Sequence, residues 1–252
     1  MLEGRVTGML DLVAMWKSPK MVLYALLTAL LYPALILPFQ QFTFFGHADF
    51  FRLGIGIPVA FSFLFGPAAA WGAAIGNVIY DATTGLSVAS IFGFVANFLV
   101  GYVPYKLWSA ITSEKPDLRS LKKFGLFVGT SLVACAVCGL IVGWGLLWLY
   151  NIPFMPTAML IALTDAVWAI VLGSIVLALS YNFVSKRKLL YTDILNITQE
   201  KPSWTATRTL AILTFATCTA LCFAVGALFS VSPFVLLPIV TLSVIASGIA
   251  WR

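Results

Sequence analysis

The sequence predicts an all-α integral membrane protein, and three observations predict it. Of its 252 residues, 61% are hydrophobic and only 10% are charged, against about 25% charged in a soluble domain. The mean hydropathy is +1.01. The long apolar runs thread through a bilayer as eight helices with both ends on one side. That threading puts all but one of the 15 Lys and Arg residues on the side of the termini and leaves Arg52 alone on the other. Basic residues stay cytoplasmic during insertion, so the asymmetry predicts cytoplasmic termini.

Composition also excludes several classes. No polar stretch is long enough to build a soluble domain. The net charge of +6 sits at helix ends, where it meets anionic headgroups rather than nucleic acid. With 4 Cys and 1 His, neither a metal centre nor a cofactor is expected. Residues 1–20 lack a short apolar core followed by a small-residue cleavage site, so no cleavable signal peptide is expected.

The elements follow in order. In residues 1–19, Leu2, Val6, Met9, Leu10, Val13 and Trp16 recur at helical spacing, with Glu3, Arg5, Asp11 and Lys17 between them. This predicts an amphipathic helix lying on the membrane surface. Span one covers 21–39, and a Phe-rich outer loop, 40–52, follows it. Spans two (53–65) and three (71–80) are joined by Gly66-Pro67. Both fall below the roughly 20 residues that a lipid-exposed span needs, so both must be surrounded by protein. Span four (86–108) leads into a charged loop, 114–123, and spans five (124–149) and six (155–183) complete a six-helix unit over 20–185. A linker, 186–207, contains a second expected interfacial helix (189–204) with Leu189, Leu190, Ile194 and Ile197 on one face. A hairpin of two further spans (208–229 and 234–251) occupies 208–252.

Sparse polar groups in so apolar a chain are the candidates for function. Asp165 lies about 15 Å deep in span six, where an ionised group costs roughly 2.5–3.5 kcal/mol. It therefore faces a cavity, or else it ties two helices together. Asn97 falls at a similar depth in span four, and Asn77 lies one turn below Asp81. The amides either serve a ligand or hydrogen-bond between helices. Arg52, Asp49 and His47 sit at the rim, where Arg52 either pairs with Asp49 in headgroup water or closes a pocket as part of a lid. Trp144 is deep enough to stack on a planar ligand, whereas Trp148 belongs to the interfacial belt. Trp168 shares the face of Asp165. Ala25 and Ala29 form a small-residue face on span one. For the glycine pairs Gly72/Gly76 and Gly125/Gly129, internal packing is expected. Cys135 and Cys138, mid-membrane, suggest no redox or zinc site.

The stretches Arg52-Leu-Gly-Ile-Gly-Ile-Pro58, Leu64-Phe-Gly-Pro67, Trp71-Gly-Ala-Ala-Ile-Gly-Asn77 with Asp81, Ser90-Ile-Phe-Gly-Phe-Val-Ala-Asn97 and Pro104-Tyr-Lys-Leu-Trp108 resemble substrate-binding S-components of energy-coupling factor transporters. The resemblance covers about 20–185, and spans seven and eight are additional to it. It implies a non-enzymatic protein of the cell membrane that binds a vitamin-like small molecule from outside. Its partners would be a transmembrane coupling subunit and ATPase subunits, with no nucleic acid. It further implies that the ligand site is covered by the loop between spans one and two, and that Ala25 and Ala29 match an AxxxA motif that contacts the coupling subunit. A non-transporting subunit or ligand sensor built on the same fold is the alternative. The expected ligand set is Arg52, Asn77, Asp81, Asn97, Trp144, Asp165 and Trp168.

Overall fold

A computed structural model describes residues 10–39 and 52–197, together with Thr217, Thr219 and Leu221. The expectations for residues 1–9, for His47 and Asp49 in the outer loop, and for the hairpin of spans seven and eight lie outside the described residues, apart from those three isolated positions. Among the described residues every regular element is helical. The elements are α1 (Leu10–Ala14), α2 (Pro19–Ala34), α3 (Gly56–Phe65), α4 (Pro67–Thr84), α5 (Ala89–Ile111), α6 (Leu121–Tyr150), α7 (Phe154–Lys186) and α8 (Tyr191–Ile194). Helices α2, α4, α5, α6 and α7 pack each against the next, and α3 fills the centre against α7, α4 and α5.

Four segments among the described residues are long and apolar enough to cross a membrane: Pro19–Phe39, Ala89–Ile111, Leu121–Tyr150 and Phe154–Ile194. Exposed apolar side chains recur every fourth residue along α7, at Leu163, Val167, Val171, Ile175, Leu179 and Phe183. A stripe of that length on a soluble protein would be a liability, but facing lipid it is expected.

Local chemistry sets the helix ends. Pro19 occupies the first turn of α2, where its fixed φ and missing N–H carry no penalty. Gly66, at φ 49°, makes the sharp turn between α3 and α4 that a side chain would resist, and Pro67 then starts α4. Helix α3 has 10 residues, all buried. At about 15 Å it is too short to span by itself and is enclosed by protein instead. Pro104 disturbs the backbone ladder of α5, and the Tyr105 amide donates to Ser62 Oγ of α3 at 3.1 Å.

The structure corrects several expectations. Helix α4 has 18 residues, not the ten or so of a truncated span. It runs through Asn77 and Asp81 because those side chains hydrogen-bond each other one turn apart, at 2.9 Å. In the N-terminal segment Leu10, Val13 and Trp16 are exposed, as a bilayer-facing surface requires, but Asp11 is buried. Its carboxylate pairs with Lys106 at 2.9 Å and accepts from the Tyr105 hydroxyl at 3.1 Å. The expected second interfacial helix is reduced, among the described residues, to the single turn of α8. Leu189, Leu190, Ile194 and Ile197 pack on the protein core rather than presenting a face to lipid. The Tyr191 ring draws this segment in by lying over Gly66, where a Cβ would come within 2.7 Å of it.

The small-residue faces also sort differently from expectation. Ala25 and Ala29, expected to meet a coupling subunit, are only 2% and 1% exposed. A Cβ on Gly72 would stand 2.5 Å from the Ala25 carbonyl, and one on Gly76 would stand 3.0 Å from that of Ala29. This face of α2 is thus occupied by α4, and Gly72 and Gly76 pack internally as expected. Gly125 and Gly129 do not: a Cβ on either would meet nothing within 4 Å.

Candidate ligand-binding site

One end of the bundle gathers the start of α3, the end of α4 and the start of α5. Arg52 precedes the short 3-10 turn Leu53–Ile55 that leads into α3, which carries the guanidinium over the interior. There Arg52 Nε lies 3.2 Å from Asp165 Oδ1, with the two side chains 17% and 0% exposed. Arg52 Nη2 also donates to the Tyr32 hydroxyl at 3.3 Å. Removing one partner of a buried pair of this kind typically costs about 3–5 kcal/mol, because the other charge is left in a poor solvent. The Arg52–Asp165 pair thus ties the segment that leads into α3 to α7.

Beside Arg52 runs a directed chain of hydrogen bonds. Asn97 Nδ2 donates to Asn77 Oδ1 at 2.9 Å and to the Gly93 carbonyl at 2.9 Å. Asn77 Nδ2 in turn donates to Asp81 Oδ2 at 2.9 Å. The carboxylate and the Gly93 carbonyl can only accept, so they fix which end of each amide is nitrogen. Gly93 makes the approach possible, since a Cβ there would lie 2.6 Å from Asn77 Nδ2.

Arg52, Asn77, Tyr80, Asp81, Ser90 and Asn97 line a cavity of about 200 Å³ between α4 and α5, with Gly93 and Val142 also on its wall. Asn97 is 1% exposed, and its Oδ1 is buried with no hydrogen-bond partner among the described residues. An acceptor left in that state costs about 1–3 kcal/mol. Arg52 has five N–H donors and spends them only in part on Asp165 and Tyr32. The cavity wall therefore combines the Asp81 carboxylate, the Asn97 amide and the cationic donor Arg52.

Of the expected ligand set, the structure brings Arg52, Asn77, Asp81 and Asn97 together around this cavity. Asp165 stands behind Arg52 rather than on the cavity wall. Trp144 and Trp148 stack in parallel, with ring centroids 6.3 Å apart, and Phe92 meets Trp144 edge-on at 5.4 Å. Neither tryptophan lines the cavity. Trp168 also stays off its wall, and its backbone carbonyl lies where a Cβ on Gly56 would come within 2.9 Å. Sequence reasoning missed Tyr32, Tyr80 and Ser90. The signal for Ser90 was its spacing, three residues before Gly93 and seven before Asn97, which puts the three on one face of α5, and nothing in the sequence marked Tyr32.

No curated protein and no solved structure matches the chain. A family model described as QueT transporter matches residues 21–182, which takes in every residue of the cavity. That family is one of S-components of energy-coupling factor transporters and not of enzymes. The chain, a multi-pass membrane protein by its apolar helices, therefore belongs to the QueT transporter family.

Proposed function

We propose that this protein is the substrate-binding subunit of an ATP-driven uptake system, and that its ligand is the heterocyclic base of a queuosine precursor, the substrate class of QueT S-components. Both termini face the cytoplasm in this reading, and the Arg52 end of the bundle faces outward across the cell membrane. The chain has no ATP-binding motif, so energy comes from a coupling subunit and ATPase partners. The observation that carries the reading is a cavity walled by Arg52, Asp81 and Asn97, beside which Asn97 Oδ1 is left without a hydrogen-bond partner among the described residues. A deazapurine base with ring and exocyclic N–H donors and a carbonyl acceptor complements that set: its donors meet Asn97 and Asp81, and its carbonyl meets Arg52. The cavity lies below the roughly 300–1,000 Å³ of typical small-molecule pockets, which suits a bare base rather than a nucleoside. Asn77 positions both neighbours through its amide. The experiment is to purify the protein from its native membrane and identify retained small molecules by mass spectrometry. A deazapurine retained by the parent chain and lost from an Asn97→Leu variant of equal thermal stability supports the reading. Equal retention by both, or retention of a chemically unrelated solute, overturns it.

A further inference from the structure

Tyr32, near the end of α2, is the largest of the fully buried side chains among the described residues. A buried phenol needs a partner for its hydroxyl. Here the partner is Arg52, whose Nη2 donates to that oxygen at 3.3 Å. Two glycines admit the tyrosine. Gly76 of α4 has no side chain to meet the ring, and a Cβ there would stand 3.2 Å from Tyr32 Cδ1. Gly54, two residues after Arg52, lets the chain pass against the Tyr32 carbonyl, where a Cβ would clash with it. Tyr32 is thus held between the helix that carries Asn77 and the turn that follows Arg52.

The guanidinium is a planar fork of donors, and contacts at two different nitrogens brace it. Nε lies 3.2 Å from Asp165 Oδ1 of α7, and Nη2 is bound to Tyr32 of α2. The two braces differ in kind. Asp165 supplies the counter-charge, but alone it leaves the plane free to swing about Nε. Tyr32 is neutral, so what it adds is direction: with Nη2 tied down, the remaining N–H groups point one way. Neither contact uses Nη1. Arg52 borders the cavity and keeps 17% of its side chain exposed, so it is braced without being closed off.

We propose that Tyr32 is a positioning residue that makes Arg52 selective for an oxo group over an amino group on the ligand ring. A guanidinium has donors and no acceptor. Held in one direction, it rewards a carbonyl and opposes an amine at the same place, because two donors then face each other and both go unpaired. A guanidinium free to swing turns away from the amine, and selectivity falls. The selectivity rests on the proposed binding of a base at Arg52, whereas the bracing of Arg52 by Tyr32 does not depend on what is bound.

The test compares the full-length protein, purified in detergent, with Tyr32→Phe, which keeps the ring that packs on Gly76 and removes only the hydroxyl. Deazaguanine and its diamino analogue, in which an amino group replaces the ring carbonyl oxygen, are titrated into each by calorimetry beside a thermal melt. The parent is expected to prefer deazaguanine. Tyr32→Phe is expected to lose about tenfold of that preference, the worth of one directed hydrogen bond, with little change in melting temperature. No preference in the parent, an unchanged preference in the variant, equal weakening of both bases or a large fall in melting temperature makes Tyr32 a packing residue and overturns the proposal. If the parent binds neither base, the ligand reading fails, and NMR of protein labelled with nitrogen-15 arginine decides the role of Tyr32 instead. The Arg52 signals, assigned by their loss in Arg52→Lys, are expected to show hindered rotation about the Cζ–Nη2 bond in the parent and faster rotation in Tyr32→Phe. Equal rotation in both overturns the proposal.

Discussion

Asp165 shows how far a single residue can be read. Its depth in an apolar span marks it as costly and therefore purposeful, and the sequence alone leaves open whether it meets a ligand or another helix. The structure shows it paired with Arg52, which gives it a positioning role: it holds the guanidinium that borders the cavity. Asp165→Leu leaves that cation buried without its counter-charge, so the melting transition is expected to fall by an amount equivalent to about 3–5 kcal/mol. Asp165→Asn retains an acceptor and is expected to cost less. A thermal melt of both variants checks this, and equal losses would show that charge plays no part. The Asn77–Asp81 contact was legible because a spacing of four places both on one helix face. The pairing of Arg52 was not. Asp49 is its neighbour in the sequence, while Asp165 reaches it only through the packing of α3 on α7.

At the scale of the element, the α2–α4 seam makes the sharpest prediction. Ala25 and Ala29 face Gly72 and Gly76 with backbones close enough to exclude larger side chains. Ala25→Trp or Ala29→Trp is therefore expected to destabilise the protein by at least about 1–3 kcal/mol through overpacking. A melt unchanged by either substitution would contradict this seam. The small-residue spacing was visible in the sequence, but the identity of the helix it meets was not, because any close neighbour satisfies the same pattern. The start of α6 carries a second prediction. Lys122 and Lys123 sit in its first turn, where positive charge opposes the helix dipole. Glu114 and Asp117 offset them through Lys122 and Lys123, each contact being 2.8 Å. The hydrogen bond and charge of Lys122 hold the Glu114 carboxyl below its usual range. For Asp117, burial pushes upward, but the Lys123 hydrogen bond, the Arg119 amide and the nearby positive charges outweigh it and leave the carboxyl lowered. A lowered carboxylate stabilises the fold above its unfolded pKa of about 4 and loses that contribution as pH falls through its folded value. The melting temperature is therefore expected to drop below about pH 4, and to drop less in a Glu114→Gln/Asp117→Asn variant. A variant profile parallel to that of the parent would contradict this.

For the whole molecule, charge asymmetry and apolar runs were enough to read an all-helical membrane protein, and the helices from α2 to α7 follow the expected order. The length of α4 was not legible, because polar residues near a helix end look like its boundary until their partners are known. The same limit hid the burial of Asp11, whose partner Lys106 lies on α5. The proposed orientation makes a direct prediction at this scale. Thr84 and Ser113 are both exposed and lie at opposite ends of the bundle. A membrane-impermeant thiol reagent added outside intact cells is expected to label Thr84→Cys and not Ser113→Cys, measured above the background of the parent chain. Labelling of Ser113→Cys alone would invert the topology.

The central claim is that Arg52, Asn77, Asp81 and Asn97 form the binding site, and calorimetric titration of a deazaguanine base into the purified protein tests it most directly. The account predicts saturable binding that weakens by about 2 kcal/mol, roughly thirtyfold, in Asp81→Asn, as expected when a charge-assisted hydrogen bond is lost, with the melting temperature of the unliganded protein little changed. Affinity equal to that of the parent in a folded Asp81→Asn variant would contradict it.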